Sequence, residues 1–532
     1  MKNDVSIKTP RMLLIPAASV VFLSLLPIAY LVIRGISSFS DLIPMLLRIQ
    51  VLFIMLKTAA LVIAVCFSCI AIALISCWII TRTDLKLKSL WSALMPLPLV
   101  IPSYVGAFIV IIILGPKGVL QKALEPLGVS RLPDIHGFEG AWLTLTFLCY
   151  PYIFLTLKSA MEKIDPALQE IAQSNGYSYW KYFYKIELPL LRPSIISGSM
   201  LVILYTLSDF GAVSILRYQT FTWSIYLQYE AAFDRTLAAG LSLILAVIVI
   251  SILYLESKTR KNIYYYRTNA KASVSKPFFK LNKLQIPVAI LLGAILLIGL
   301  IIPLVFLLYL AFQGFMSNQI PTNLFTLALN SLMVSSLAAV ATLGAGSSIA
   351  LLTAKFKTRI AVFLENTAYI GFGLPGIVVA LSLVFFGANY ATILYQTIPL
   401  LIFGYSIMFM PALIGAFKSS LESINPRIEE SAKILGESNI GTFRRIVLPL
   451  TSPGIVYGMS LVFLLTIKEL PLTLILGPLD FGTLATALWN ASEEAFFLEA
   501  AISGVFIILI SIIPMFGLRK LTNESSLWTH YK

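Results

Sequence analysis

Charged residues, histidine and cysteine are all scarce in this sequence, and each shortage excludes a class of function. Only 12% of the 532 residues are charged, whereas 58% are hydrophobic. An average soluble protein has about 25% charged residues. Many apolar runs exceed the roughly 18 residues that cross a bilayer, so the sequence predicts an all-α, polytopic membrane protein. The first run, residues 12–33, is too long for a cleavable signal peptide.

The few cysteines and histidines form no catalytic or metal-binding pattern. All four cysteines lie in apolar runs, at Cys66, Cys69, Cys77 and Cys149. A thiol in such a run packs as a small hydrophobic group. His136 and His530 are isolated, so neither is assigned any chemistry and no firmly bound metal is expected. The nucleotide-binding motif G-x4-G-K-[ST] and the HExxH motif are also missing, so we expect neither ATP hydrolysis by this chain nor another enzymatic activity.

Twelve transmembrane helices are predicted, six in each half of the chain. They lie at about residues 12–33, 51–79, 92–114, 140–157, 195–216, 237–256, 286–312, 327–353, 361–386, 396–416, 454–476 and 498–517. Basic residues follow the second and fourth spans and fill residues 257–285, while 313–326 and 387–395 have no Lys or Arg. The distribution of basic residues predicts a bacterial inner-membrane protein with both termini on the cytoplasmic side. The net charge of +14 is therefore attributed to membrane topology and not to nucleic-acid binding.

The two halves of the chain are an internal duplication in the same orientation. Residues from Pro411 onward match those from Pro151 at an offset of 260, and Pro375 matches Pro102 at an offset of 273. We therefore predict two tandem six-helix domains, 1–256 and 286–532, related as a parallel repeat. The linker 257–285 is interpreted as a flexible basic strip beside anionic lipid, with a specific lipid or partner site as the alternative.

A polar motif, E-x-A-x3-G-x9-I-x-L-P, occurs once in each half after the fourth predicted span. The first copy consists of Glu170, Ala172, Gly176, Ile186, Leu188 and Pro189, and the second of Glu430, Ala432, Gly436, Ile446, Leu448 and Pro449. Each element of the second copy follows its partner by 260 residues. A match of this kind at equivalent topological positions indicates a shared role.

Local sequence rules predict a helix–turn–helix at each motif. An N-cap followed by proline begins the first short helix, at Asp165-Pro166 and at Asn425-Pro426. The motif glycines are expected to end it, because glycine accepts the left-handed conformation. Ser178 and Ser438 are predicted to cap a second short helix that ends near the Leu-Pro pair. A projecting helix–turn–helix of this kind can bind in a groove on a soluble protein. The alternative is an amphipathic hairpin that lies at the membrane interface and only positions the transmembrane helices.

Both motif copies resemble the EAA loop of permease subunits of bacterial type I ABC importers, and each half follows the six-span plan of that family. The middle position differs from the family's usual alanine, since it is Ile171 in one copy and Ser431 in the other. The resemblance implies that two copies of a separate ATPase dock on the loops and use ATP there, so no cofactor is expected in this chain. It also implies a periplasmic or surface substrate-binding protein.

Two further segments are similar to the fused ferric-iron permeases of this family. They are residues 207–213 (LSDFGAV) and residues 468–474 (KELPLTL), the latter followed by 481–486 (FGTLAT). The resemblance makes ferric iron the expected substrate, with thiamine or another small solute as the alternative. A secondary transporter driven by ions is the alternative from another class, although it would have no use for the repeated loop.

Two carboxylates lie at equivalent positions inside the predicted fifth span of each half. Asp209 and Glu469 are 260 residues apart. Because carboxylates within a membrane are costly, they normally face a cavity or a cation. They are therefore candidates for lining the translocation pathway. Capping of a broken helix, pairing with a cation such as Lys468, or a proton relay are the alternatives that the sequence leaves open.

Overall fold

The computed structural model describes residues 11–37, 44, 47–231, 234–260, 279–356 and 358–527, and most of these residues are helical. Ten of the described helical segments are long and apolar enough to cross a membrane. An eleventh is the pair Arg359–Gly373 and Gly376–Tyr390, which bends by 103°, and a shorter apolar helix, Phe497–Ile512, coincides with the last predicted span. Thr83 and Phe279 form one isolated β-bridge. The predicted all-α polytopic fold is confirmed.

The first compact unit consists of Leu46–Ala232 and Val247–Leu310. Its long helices are Ile49–Arg82, Ser103–Leu114, Phe138–Met161, Leu188–Ser208 and Gln285–Leu296. Short helices connect them at Lys88–Leu94, Val119–Leu124, Pro166–Ser174, Tyr179–Tyr182, Gly211–Ile215 and Phe221–Tyr226. Ile49–Arg82 packs along Phe138–Met161 and also contacts Leu188–Ser208, so these three helices form the centre of the unit.

The second compact unit consists of Met1–Met45, Phe233–Ala246 and Ala311–Lys532. Its described helices are Arg11–Ser24, Leu26–Ser37, Leu324–Lys355, Arg359–Gly373, Gly376–Tyr390, Ile398–Glu422, Pro426–Ile434, Asn439–Thr442, Leu448–Thr466, Pro471–Leu476, Leu484–Glu493 and Phe497–Leu527. Leu324–Lys355, Ile398–Glu422 and Leu448–Thr466 form its centre, as their counterparts do in the first unit. The helices Arg235–Arg260 and Ile302–Met316 have residues in both units.

Each compact unit contains the first span of the other half of the sequence. Ala17 and Val21 lie in an apolar cluster with Ile349, Ala368 and Ile414, so the first span of the chain packs on helices of the second half. The span that begins at residue 285 belongs to the first unit in the same way. The division into 1–256, 257–285 and 286–532 therefore stays a prediction about the duplicated sequence, and most of 257–285 lies outside the described residues.

Several predicted spans are interrupted in the structure. The third is divided into Lys88–Leu94, a 3-10 turn at Leu97–Val100 and Ser103–Leu114, because three prolines in this stretch cannot donate backbone hydrogen bonds. The fifth span of the first half stops at Ser208, and its counterpart in the second half stops at Thr466. Both breaks lie next to the predicted intramembrane carboxylates.

Equivalent hydrogen bonds show that the duplication extends to atomic detail. Thr58 Oγ1 accepts a hydrogen bond from Phe221 N at 3.2 Å, and the aligned Ser331 Oγ accepts one from Leu484 N at 2.9 Å. Both hydroxyls also donate to the carbonyl oxygen four residues earlier, at 2.8 Å. A hydroxyl at this position thus ties the second span of each half to the segment that follows the broken fifth span.

Candidate functional site

The first repeated motif forms an exposed helix–turn–helix, as predicted. Asp165 caps the helix Pro166–Ser174 by accepting a hydrogen bond from Ala167 N at 3.0 Å. Gly176 has a φ of +70° and its N–H donates to Gln173 O at 2.9 Å, while the next N–H closes on Ala172 O. This pattern ends a helix at a left-handed residue, a conformation that glycine adopts at the lowest cost.

The second motif has the same geometry. Asn425 Oδ1 accepts from Arg427 N at 3.1 Å, Gly436 has a φ of +88°, and Glu437 N donates to Ala432 O at 3.0 Å. Ala172 and Ala432 are buried, with 4% and 5% of their surface exposed, whereas the motif glutamates are exposed. The motif alanine therefore packs against the body of each unit, and the glutamate faces outward.

The second short helix differs from the prediction in two respects. Ser438 caps it by accepting from Gly441 N at 3.0 Å, but Ser178 makes no such bond. The expected end at the Leu-Pro pair is wrong, because each short helix passes through a π-helical turn, Phe183–Glu187 or Phe443–Val447, straight into the next span. A π turn widens the helix just before the proline, whose ring would otherwise clash with the carbonyl four residues earlier. Each loop is thus joined rigidly to a membrane-spanning helix.

A buried ion pair lies beneath the first loop. Arg82 Nε is 2.6 Å from Glu187 Oε1, with side chains 6% and 0% exposed, and Arg82 Nη2 donates to Met161 O at 3.1 Å. Sequence reasoning missed this pair; the only local signal was a charged residue between aromatic and apolar neighbours at Glu187. The positions equivalent to Arg82 and Glu187 are Lys355 and Val447, so the second half lacks the pair.

The second loop is attached to its unit through a different contact. Lys355 Nζ lies 2.8 Å from Glu429 Oε2, on the first short helix of the loop, and both side chains are partly exposed. Val447, which replaces the buried glutamate, belongs to the apolar core of the second unit. The two loops therefore share one backbone geometry but are anchored by different chemistry.

The two intramembrane carboxylates occupy equivalent places at the broken fifth spans. Asp209 Oδ1 accepts from Ala212 N at 2.9 Å, and Glu469 Oε1 accepts from Leu472 N at 3.3 Å. Each carboxylate thus caps the short helix that follows the break, Gly211–Ile215 or Pro471–Leu476. Helix capping, one of the alternatives left open by the sequence, accounts for this geometry, and lining of a translocation pathway stays a prediction.

The residue that packs against each carboxylate differs between the halves, in a way that matches the longer side chain of Glu469 compared with Asp209. Ser103 is a side-chain hydrogen-bond partner of Asp209, and the position equivalent to Ser103 is Gly376. A Cβ atom on Gly376 would lie within 2.3 Å of Glu469 Oε1. Because glutamate is one methylene longer than aspartate, glycine at this position leaves the room that its carboxylate needs.

Gly376→Ala is expected to lower the stability of the chain, because the added methyl group overlaps the carboxylate of Glu469. Overpacking costs about 1–3 kcal/mol, and we expect the lower end here because the carboxylate ends a flexible side chain that can shift by giving up its hydrogen bond to Leu472 N. The temperature at which half of the detergent-purified protein loses its monodisperse peak measures the effect. Gly376→Ser/Glu469→Asp, which copies the pair of the first half, should recover most of the loss. Gly344→Ala is the matched control, since its Cβ meets no atom within 4 Å. Equal stability of Gly376→Ala and Gly344→Ala would contradict the explanation.

The predicted isolation of His136 is wrong. His136 Nδ1 lies 2.6 Å from Asp134 Oδ1, and His136 N donates to the same oxygen at 3.0 Å. These two hydrogen bonds hold the pKa of Asp134 below its usual value. The pair is exposed in a loop between spans, which is typical of a local turn. His530 lies outside the described residues.

The cysteines lie in apolar helices, as predicted, and three of the four are buried. Cys69 and Cys77 donate to the carbonyl oxygens of Thr146 and Phe154 at 3.5 and 3.2 Å. Over the described ranges, no three His, Cys, Asp or Glu side chains are grouped so that they could hold a metal ion.

A duplicated bundle of apolar helices, with one exposed helix–turn–helix joined rigidly to a span in each copy, defines a membrane transport permease. The chain belongs to the family described as the binding-protein-dependent transport system inner membrane component, which it matches twice, over residues 70–256 and 343–524. It is therefore an ABC permease, a multi-pass inner-membrane transport component. Membership implies a separate ATPase and a substrate-binding protein as partners.

Relatives with known names support the same assignment. The chain is 28% identical to the Fe(3+)-transport system permease protein FbpB 2 of Haemophilus influenzae, over 93% of this chain and 95% of the relative. It is 26% identical to the probable ABC transporter permease protein y4fN of Sinorhizobium fredii, over 74% of both chains. The molybdenum transport system permease protein ModB of Escherichia coli is 29% identical over 31% of this chain and 69% of the relative.

Proposed function

We propose that this chain is the permease subunit of an ATP-driven importer that moves ferric iron from a binding protein into the cytoplasm. The observation that supports the substrate is a shared architecture: the iron permease aligns over 95% of its own length with 93% of this chain, and therefore with both duplicated halves. The molybdenum permease of Escherichia coli is a shorter chain, and 69% of it aligns with 31% of this one. In this proposal both termini and both loops face the cytoplasm, and the outer loops receive the binding protein.

The intramembrane carboxylates are compatible with a trivalent cation as cargo. Ferric iron is a hard cation that prefers oxygen ligands. Asp209 and Glu469 supply one carboxylate in each half, and each carboxylate is already engaged by a helix N-terminus. Such a group favours brief contact with a passing cation over firm binding, which suits a permease because it has to release its cargo. No cofactor is proposed for this chain.

The loops couple transport to ATP in this proposal. Two copies of one ATPase dock on the loops that turn at Gly176 and Gly436, and closure of the ATPases on ATP moves the loops. Each loop continues through its π turn into a long span, Leu188–Ser208 or Leu448–Thr466. A displacement of the loop therefore shifts the helix that ends at the carboxylate, with no flexible joint between them.

Molybdate is a second candidate, because one of the three named relatives is a molybdenum permease. In cells that lack this chain, we expect its restoration to return uptake of radiolabelled ferric iron and to leave uptake of labelled molybdate and thiamine unchanged. The docking variant Gly176→Asp/Gly436→Asp serves as the matched inactive control. Restored molybdate or thiamine uptake with unchanged iron uptake would keep the permease assignment and overturn the iron assignment.

A further inference from the structure

The two exposed loops differ most at their tips, next to the turn glycines. In the second loop the tip residues Ile434 and Leu435 are both 85% exposed, and Ile440 is 78% exposed. The equivalent positions in the first loop are Ser174, Asn175 and Trp180. At these three positions the second loop thus presents three aliphatic side chains, while the first loop presents two polar side chains and Trp180.

The polar side chains at the tip of the first loop already form hydrogen bonds with the backbone of that loop. Ser174 Oγ and Asn175 Nδ2 both donate to Ile171 O, at 2.9 and 2.8 Å. These side chains gain little from a partner, since their hydrogen bonds are already made. The first loop instead exposes aromatic surface further along, where Trp180 and Tyr184 are 62% and 59% exposed.

A helix cap and two ion pairs hold the backbone on either side of the aliphatic tip of the second loop. Ser438 caps the second short helix, and Glu437 pairs with Arg445 across it. Lys355 and Glu429 tie the first short helix to the unit. Exposed isoleucine and leucine on an ordered turn favour burial against another surface, because removing apolar area from water is favourable at about 25 cal/mol per Å².

The charge of the second loop favours a protein over the membrane as the partner that its tip contacts. From residue 422 to the end of its π turn at Val447, the second loop has four acidic residues, Glu422, Glu429, Glu430 and Glu437, and four basic ones, Arg427, Lys433, Arg444 and Arg445. An interfacial hairpin that seats on anionic lipid is normally rich in Lys and Arg. A segment whose charges cancel gains little electrostatic attraction from such a surface.

We propose that Ile434, Leu435 and Ile440 form the dominant anchor for the ATPase, so that the copy on the second loop is held more tightly than the copy on the first. This inference rests on the proposed function, in which two identical ATPases dock. Identical ATPases offer identical grooves, so a difference in affinity comes from the loops. The second copy therefore binds first during assembly, and the copy on the first loop is the one that exchanges.

A swap of the tip residues tests the inference. The variant Ile434→Ser/Leu435→Asn gives the second loop the tip of the first, and Ser174→Ile/Asn175→Leu is the reciprocal. The purified ATPase subunit that co-purifies with the wild-type chain is titrated onto detergent-solubilised permease, and native mass spectrometry counts the bound copies. We expect two separated binding steps in the wild type. The first variant should weaken the tight step by about tenfold or more, and the reciprocal should strengthen the weak step.

Each other outcome overturns a distinct claim. Equal affinity at both loops in the wild type, or two steps that neither swap changes, refutes the asymmetry and leaves docking intact. The absence of any ATPase binding by a monodisperse wild-type chain refutes the proposed function itself. Loss of co-purified phosphatidylglycerol from the full-length Ile434→Ser/Leu435→Asn chain in the same mass spectra, with ATPase binding unchanged, assigns the tip to lipid and overturns the inference. Monodispersity of each variant is the folding control, since the substituted side chains are exposed.

Discussion

Gly176→Asp/Gly436→Asp is expected to abolish transport while the chain remains folded in the membrane. Both glycines have positive φ, and a Cβ at either position meets no atom within 4 Å. Aspartate tolerates the left-handed conformation better than most residues, so the turn survives with a bulky negative group at its tip. That group lies where the ATPase is proposed to dock. Losing a hot spot of about 2 kcal/mol lowers the affinity roughly thirtyfold.

Co-purification of the ATPase and stimulated ATP hydrolysis in liposomes measure this effect, alongside iron uptake. Each single variant should lose one ATPase copy, and the double variant both. Gly128→Asp is the matched control for backbone strain, because Gly128 also has a positive φ and open space around its Cβ but lies in a loop on the opposite side of the predicted topology. ATPase binding should be unchanged in that variant. Full transport by the double variant would refute the docking assignment.

The parts of the candidate site that follow local rules could be predicted from the sequence. The N-caps Asp165 and Asn425 and the left-handed turns at Gly176 and Gly436 depend on neighbours within a few residues, and the structure confirms them. The same holds for the apolar spans, whose length and composition suffice. The duplication adds a second copy of each signal, which is why the motif could be recognised without any structural information.

Features that depend on distant residues could not be predicted. The first span packs with Ile349 and Ile414, more than 300 residues away, because apolar surface alone does not specify which helices it contacts. The predicted end of the second short helix at Leu188-Pro189 is wrong because the proline pattern does not distinguish a helix end from a π turn. Gly376 could be explained only once the carboxylate of Glu469 was found beside it.

Removing either member of the buried pair is expected to give the largest loss of stability in this chain. Arg82→Ala leaves Glu187 as an uncompensated buried carboxylate, and Glu187→Ala leaves a buried guanidinium with its bond to Met161 O. Breaking a buried ion pair in this way costs about 3–5 kcal/mol. The midpoint temperature for loss of the monodisperse peak in detergent should fall in both variants, and so should the yield of inserted protein.

The double variant Arg82→Met/Glu187→Val separates the cost of an unpaired charge from the value of the pair. Valine is the residue that the second half has at this position, in Val447, where it packs into an apolar core. Replacing both ions by apolar groups of similar volume is often neutral or stabilising. The double variant should therefore be more stable than either single alanine variant. Lys355→Ala is the control, because its partly exposed pair with Glu429 contributes only about 0–1 kcal/mol.

The same series tests whether the pair serves coupling as well as stability. Arg82 lies at the end of a central helix and Glu187 in the π turn that joins the first loop to its span. If the pair transmits movement of the loop, Arg82→Met/Glu187→Val should bind the ATPase normally and yet hydrolyse ATP with reduced iron uptake per ATP. A stable double variant with wild-type uptake would show that the ion pair only positions the loop. A double variant as unstable as the single variants would show that the site needs charge, which the valine in the second half argues against.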